Sequence, residues 1–110
     1  MRLFGAGIVA LGLAAALAPG GSAVAADHVV SMNSETYSPK LLKAKVGDRL
    51  VFDNDDTEDH AVFVPTVGFG VDLGGQKPGE KRSLPLRRAG TFDVECVLHE
   101  NMKMTVEVAR

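Results

Sequence analysis

Apolar and polar residues alternate along most of the chain after residue 27, in short runs that are separated by turn residues. Residues 42–46 alternate leucine, alanine and valine with lysine, and the same period of two recurs at 92–96 and 102–108. A period of two is typical of a strand that buries one face, and hardly any segment shows the period of a helix. The pattern therefore predicts an all-β domain of seven or eight short strands packed as a β-sandwich.

Glycine and proline indicate where the predicted strands end or lie at an edge. Residues 68–81 are rich in glycine and are predicted to be a loop with at most one short strand. Pro85 lies within the segment 82–86, which is predicted to be a strand. Because proline cannot donate a ladder hydrogen bond, that strand is expected at a sheet edge or at a bulge.

The first 25 residues predict a cleaved secretory signal peptide. Arg2 precedes an apolar run at 3–17, and Ala23 and Ala25 form a small-residue cleavage pattern. The apolar run is shorter than the roughly 20 residues needed to span a bilayer, which disfavours a retained anchor. Residues 26–110 are then expected to form one exported domain with no membrane insertion after cleavage.

Charge and cysteine content narrow the choice of function. The chain has a net charge of −2, and loss of Arg2 with the leader would leave −3, so no nucleic-acid partner is expected. Cys96 is the only cysteine in the sequence and cannot form an internal disulfide. In a secreted protein, a lone thiol indicates an intermolecular disulfide, a reactive group or a metal ligand.

The segment 96–104 concentrates side chains that bind soft metal ions. It contains Cys96, His99, Met102 and Met104, and His60 begins another predicted strand. Strand ends of a sandwich meet at common poles, so His60 is expected near this segment. Two imidazoles, one thiolate and a weak thioether are typical of an electron-transfer copper site. Zinc favours a tetrahedral set without thioether, and an exported catalytic thiolate would be vulnerable to oxidation.

The sequence also resembles the cupredoxins, the small type 1 (blue) copper proteins of the amicyanin, plastocyanin and pseudoazurin kind. The likeness covers almost the whole predicted mature chain and is carried by the segments "YSPKLLKAKVGDRLVFDNDD", "DHAVFV", "KPGEKRSL", "GTFDVEC" and "CVLHENMKMTVEV". It implies a cupredoxin-like Greek-key β-sandwich that binds one type 1 copper ion per chain.

The resemblance also implies the ligands. His60, Cys96 and His99 correspond to the strong equatorial ligands, and a methionine corresponds to the weak axial ligand. Amicyanin-like loops place that methionine three residues after the second histidine, which favours Met102. Plastocyanin-like loops place it five residues after, which leaves Met104 as the alternative axial ligand.

Two positions depart from the family pattern close to the cysteine. Ala61 replaces the asparagine that commonly follows the first histidine, yet its main-chain N–H is still expected to reach the Cys96 thiolate. Leu98 stands where the family often has proline, so its N–H is expected to be a second donor, either to the same sulfur or to a neighbouring group.

The function implied by the resemblance is a periplasmic one-electron carrier and not an enzyme. Copper would cycle between Cu(I) and Cu(II), and a monomeric protein would serve a donor and an acceptor redox protein whose identities are unknown. One alternative is a copper-handling protein for delivery or storage that uses the same ligands. Another is a redox-silent sandwich that forms an intermolecular disulfide through Cys96.

Three other features are expected to be mainly structural. The acidic run 53–59 is predicted to be a solvated loop, with a secondary role in steering a basic redox partner. His28, close to the predicted new N-terminus, is expected to be frayed and solvated. Phe69 is expected either to join an apolar surface around the site or to pack its own loop.

Overall fold

The computed structural model of the protein describes residues 24–110, so the predicted signal peptide at 1–25 lies almost wholly outside the described residues. Within the described residues there are nine strands: β1 (Asp27–Asn33), β2 (Thr36–Ser38), β3 (Leu41–Lys45), β4 (Arg49–Asn54), β5 (His60–Val64), β6 (Val71–Gln76), β7 (Lys81–Pro85), β8 (Gly90–Glu95) and β9 (Lys103–Ala109). Residues 24–110 include no helix that is long and apolar enough to cross a membrane.

The strands form two sheets. One sheet has the order β3-β9-β8-β5-β6 and the other has the order β2-β1-β4-β7. Pairing is antiparallel except between β1 and β4 and between β3 and β9, which are parallel neighbours. The predicted all-β Greek-key sandwich is therefore confirmed.

The strand count is higher than predicted because of a short hairpin at the start of the domain. Ser34 and Glu35 connect β1 to β2 with φ angles of 54° and 58°, the left-handed values of a two-residue hairpin turn. Neither residue is the glycine or asparagine that usually signals such a turn, so the pattern gives little indication of it. Pro85, by contrast, lies in an edge strand as predicted, and it is the last residue of β7.

The core lies between the sheets and contains the alternating apolar residues. Phe92 and Val94 from β8, and Met104, Val106 and Val108 from β9, are all at least nine-tenths buried. Each large apolar side chain removed from water contributes about 1.5–3 kcal/mol, so these alternating positions dominate the stability of the sandwich. The facing sheet supplies a matching buried set: Val30, Met32, Tyr37, Leu50 and Phe52.

Strand direction defines two poles. One end of the sandwich is where β1, β4 and β8 finish and where β5 and β9 start. We call this end the His99 pole, since the loop 96–102 lies there. The opposite end, which carries the turn Gly47–Asp48, is the Asp48 pole.

Asp48 organises its own pole through three hydrogen bonds. Its carboxylate accepts from the main-chain N–H groups of Ala26 and Lys45, each at 3.0 Å, and lies 2.8 Å from Nε2 of His28. These donors, Ala26 first and then His28 and Lys45, lower the pKa of Asp48 to about 2. The expectation that His28 is frayed and solvated is thus wrong, because the ring belongs to strand β1 and is held by Asp48.

Candidate metal centre

His60 is fully buried at the first position of β5. The acidic loop that precedes it is fixed by Asn54, whose buried side-chain amide donates to the carbonyl oxygens of Glu58 at 2.9 Å and Gln76 at 2.8 Å. The side-chain oxygen of Asn54 also accepts from the main-chain N–H of Asp56 at 3.1 Å. A single buried amide therefore sets the shape of the loop that precedes His60, a role that no local sequence pattern indicates.

The carboxylate of Asp56 orients the His60 ring. Oδ2 of Asp56 lies 2.8 Å from Nε2 of His60, and this contact is the main reason that the pKa of Asp56 is lowered to about 2. An ionised carboxylate only accepts hydrogen bonds, so Nε2 of His60 must carry the proton. In the neutral ring, Nδ1 of His60 then presents its lone pair to the interior of the site.

Cys96 follows β8 and begins a loop that main-chain hydrogen bonds close. Its N–H donates to the carbonyl oxygen of Met102 at 3.1 Å, and its own carbonyl oxygen accepts from the N–H of His99 at 3.3 Å. The N–H of Met102 completes the set by donating to His99 at 3.1 Å. The loop 96–102 is thus a compact unit that places its cysteine, its histidine and its methionine by backbone contacts.

The sulfur of Cys96 receives a main-chain donor from the neighbouring strand. The N–H of Ala61 donates to Sγ at 3.3 Å, which confirms the expectation for this residue. Cys96 itself is only 4 % exposed. The second donor expected from Leu98 is not among the hydrogen bonds that the described residues make to this sulfur, and the Leu98 side chain is exposed.

The structure brings together three of the residues that the sequence singles out. Nδ1 of His60 lies 3.3 Å from Nδ1 of His99, and Nδ1 of His99 lies 3.6 Å from Sγ of Cys96. These ligand atoms are all within 4.8 Å of one another, close enough to hold a single metal ion. Bonds of roughly 2.0–2.3 Å to one ion at near-trigonal angles would separate the donor atoms by about 3.2–3.8 Å, and both distances from Nδ1 of His99 fall in this range.

Both candidate methionines are buried, but they lie at different positions relative to the cysteine. Met104 pairs with Val94 within the β8–β9 ladder, whereas Met102 lies directly opposite Cys96, one pair beyond the end of that ladder. Residues that face each other across two strands have Cβ atoms about 4.5–5.5 Å apart, and diagonal neighbours are farther apart. Met102 is therefore the better placed of the two to reach an ion bonded to Cys96.

Phe69 packs its own loop and does not contribute to the His99 pole. Its ring stacks on Phe92 with centroids 5.2 Å apart, and the guanidinium of Arg88 lies over it at 5.5 Å. It also packs against Gly90, the first residue of β8, at the end of the sandwich away from His99. Of the two expectations for Phe69, packing of the loop is confirmed.

Comparisons with known proteins agree with this arrangement. The family model for the cupredoxin-like domain matches residues 5–108. A reduced mutant of amicyanin is 28 % identical with a TM-score of 0.70, and the match covers 74 % of this chain and 80 % of that one. A second amicyanin mutant, in the Cu(I) form, is 27 % identical with the same TM-score and the same coverage.

A more distant structure shares the fold alone. The purple cupredoxin from Nitrosopumilus maritimus is 19 % identical with a TM-score of 0.68, and the match covers 74 % of this chain and 99 % of that one. None of the curated proteins compared with this chain matches it. Because the family model spans nearly the whole sequence, the chain belongs to the cupredoxin-like family.

Proposed function

We propose that this protein is a one-electron carrier that holds one type 1 copper ion through His60, Cys96 and His99, with Met102 as the weak axial ligand. The observation that carries the proposal is the convergence of two Nδ1 atoms 3.3 Å apart with a sulfur 3.6 Å from one of them. Membership of the cupredoxin-like family and the likeness to amicyanin structures, one of them in the Cu(I) form, support it.

The carboxylates beside the two rings explain why a cation belongs at this point. Each Nε2 faces a carboxylate, Asp56 for His60 at 2.8 Å and Glu58 for His99 at 3.3 Å. The Asp56 contact is a hydrogen bond that holds the proton of His60 on Nε2, and the ion-pair contact of Glu58 favours a proton on Nε2 of His99. In neutral rings, both inner nitrogens then present lone pairs toward each other. Two lone pairs at 3.3 Å beside a sulfur repel one another unless a positive charge lies between them.

The donor set favours copper. Thiolate and thioether ligands stabilise Cu(I), and imidazole suits both oxidation states. When bound, copper supplies the one-electron step between Cu(I) and Cu(II). The protein holds the ligands in place: Ala61 donates to the sulfur, Asp56 holds His60, and main-chain bonds fix the loop 96–102. Ligands that are held this firmly change little in position between the two oxidation states.

His99 gives the site its contact with the outside. The side chain of His99 is 17 % exposed, whereas His60 is fully buried and Cys96 nearly so. Electrons therefore enter and leave through the His99 ring. The exposed side chains of Val97 and Leu98 precede it in the loop and offer an apolar contact surface next to it.

The charge at this pole suggests the kind of partner. Exposed carboxylates of the loop 55–59, together with Glu35 and Glu100, lie on the same pole as His99. A surface of this sign favours donor and acceptor proteins with basic docking faces, because complementary charge speeds encounter. Export to the periplasm, where such partners would be met, rests on the predicted signal peptide, and amicyanin-like cupredoxins are typically exported.

Copper titration tests the proposal. Addition of Cu(II) to the copper-free protein should give an intense thiolate-to-copper absorption that is lost in Cys96→Ser and that can be bleached and restored by reduction and oxidation. A colourless product would overturn the proposal. A coloured product that rapidly yields its copper to a chelator would instead indicate copper delivery or storage.

A further inference from the structure

Glu58 contacts the solvent-facing edge of the His99 ring. Its Oε1 lies 3.3 Å from Nε2 of His99. The side chain of Glu58 is 60 % exposed, but its main chain is fixed, because its carbonyl oxygen accepts from the buried amide of Asn54 at 2.9 Å. An exposed carboxylate is thus carried to the histidine on a rigid section of the acidic loop.

The contact determines which nitrogen of His99 is available to a metal ion. A neutral imidazole carries one proton and can place it on either nitrogen. The His60 ring is held in one orientation by complete burial. His99 lies in a loop and is partly exposed, so burial restricts the orientation of its ring less. A carboxylate acceptor next to Nε2 holds the proton there and leaves the lone pair of Nδ1 directed toward Cys96 and His60.

We propose that Glu58 is a positioning residue for His99, which keeps the ring in the orientation and tautomer that bind metal through Nδ1. A ligating histidine whose other nitrogen donates to a carboxylate is also a more basic ligand. If copper binds as proposed above, Glu58 also favours Cu(II) over Cu(I) and so lowers the reduction potential of the site. Neither effect needs Glu58 to touch the metal.

The chain supplies its own matched control. The carboxylate of Glu35 lies within 4.8 Å of both the Glu58 carboxylate and the His99 ring. Glu35 nevertheless makes no ion pair or hydrogen bond to His99 among those of the described residues. Removing the charge of Glu35 therefore changes the local field at His99 while leaving the contact between Glu58 and His99 in place.

The first experiment uses the copper-free protein, so it does not depend on the proposed function. Nitrogen-15 NMR of the imidazole rings reports which nitrogen carries the proton. His99 should carry it on Nε2 in the parent protein and in Glu35→Gln, and should populate both tautomers in Glu58→Ala. Glu58 contributes only a main-chain oxygen to the fold of its loop, so these variants should retain the stability of the parent. A tautomer that is unchanged in Glu58→Ala would overturn the proposal.

The second experiment uses the copper-loaded protein. Glu58→Gln preserves the size of the side chain and removes its charge, so the reduction potential should rise. Loss of Cu(II) to a chelator should be faster in Glu58→Ala than in the parent. Glu35→Gln should shift the potential less than Glu58→Gln does. Equal shifts in the two glutamine variants would overturn the role of the contact, while absence of the copper band in the parent would contradict the proposed function instead.

Discussion

Cys96 and Met102 face each other directly, because the N–H of Cys96 donates to the carbonyl oxygen of Met102 at 3.1 Å just beyond the β8–β9 ladder. Their side chains therefore project from the same face of the sheet as neighbours. Met104 lies two residues farther from the His99 pole and faces Val94. The two methionines are almost equally buried, so only their register distinguishes them.

Replacement of each methionine by leucine should separate the two roles. Both changes nearly conserve side-chain volume and should cost less than about 1.5 kcal/mol of unfolding free energy. Only Met102→Leu should change the Cu(II) absorption and electron paramagnetic resonance spectra and the reduction potential, because Met102 is the better placed of the two to supply the proposed thioether. Spectra that change in Met104→Leu and not in Met102→Leu would assign the axial position to Met104.

Tyr37 links the two sheets next to the site. Its hydroxyl donates to the carbonyl oxygen of Ala61 at 2.6 Å, and Ala61 is the residue whose N–H reaches the Cys96 sulfur. Tyr37→Phe should lower the unfolding free energy by about 1–2 kcal/mol near neutral pH, because a buried hydrogen bond is lost. Urea unfolding of the two proteins measures this difference, and equal midpoints and slopes would contradict it.

Alkaline pH tests Tyr37 in a second way. Burial raises the pKa of its hydroxyl well above the ordinary range. The folded state binds this proton more tightly than the unfolded state, so its stabilising contribution is complete below about pH 10 and is lost as the pH rises further. Since Tyr37 is the only tyrosine in the sequence, tyrosinate absorbance should appear only as the protein unfolds. Tyrosinate that forms while the fold is intact would contradict the burial argument.

Acid pH tests Asp48. Its pKa is lowered to about 2 by the Ala26, His28 and Lys45 donors, whereas an unfolded aspartate titrates at about 3.9. The stabilisation is therefore present above about pH 4 and is lost as the pH falls toward about 2. Asp48→Asn should be less stable than the parent near neutral pH and should lose less stability across this window.

The control for Asp48 is Asp59→Asn. The side chain of Asp59 is 57 % exposed, and its ion pair with Lys77 is long at 3.9 Å. Exposed pairs of this kind contribute little to stability. Thermal unfolding at a series of pH values should give parallel curves for Asp59→Asn and the parent. A parallel curve for Asp48→Asn would show that its three donors do not stabilise the fold.

Gly90 occupies a position where an added side chain would meet the Phe69 ring. Its φ is +140°, and an added Cβ would lie 2.6 Å from Cζ of Phe69. Gly90→Ala should therefore displace Phe69 from its stack on Phe92 in addition to straining the backbone. Gly79 is the matched control, with a φ of +85° and no atom within 4 Å of an added Cβ. Backbone strain alone costs about 1–3 kcal/mol, so Gly90→Ala should lose clearly more than Gly79→Ala in thermal unfolding.

The parts of the molecule that the sequence predicts are those with a local signal. The period of two in 92–96 and 102–108 gives the buried faces of β8 and β9, because alternation is a property of neighbouring residues. Pro85 similarly reveals an edge strand by lacking a donor. The convergence of His60 with Cys96 and His99 followed from the shared pole of a sandwich and from the family likeness, and the structure brings the three together.

Features that depend on long-range contacts gave no such signal. His28 lies close to the predicted cleavage site, which suggested that its side chain would be solvated. Its actual partner, Asp48, is 20 positions away in sequence and is brought to it only by the fold. Asn54 looks like an ordinary loop asparagine until its amide is seen to fix the loop before His60. The sequence also places Glu58 in an acidic run without indicating that one of its members would reach His99.

The direction of the first and last strands, β1 and β9, has a practical consequence for attaching the protein to a surface or to another protein. Strand β1 begins at the Asp48 pole and β9 ends there, where the N–H of Val46 donates to the carbonyl oxygen of Ala109. With about 3.3 Å per residue, the seven residues of each strand put these attachment points roughly 20 Å from the His99 pole. A tag, a surface linker or a fused enzyme joined directly before β1 or directly after β9 would leave His99 facing outward, so attachment to an electrode at either point would keep the proposed redox face free.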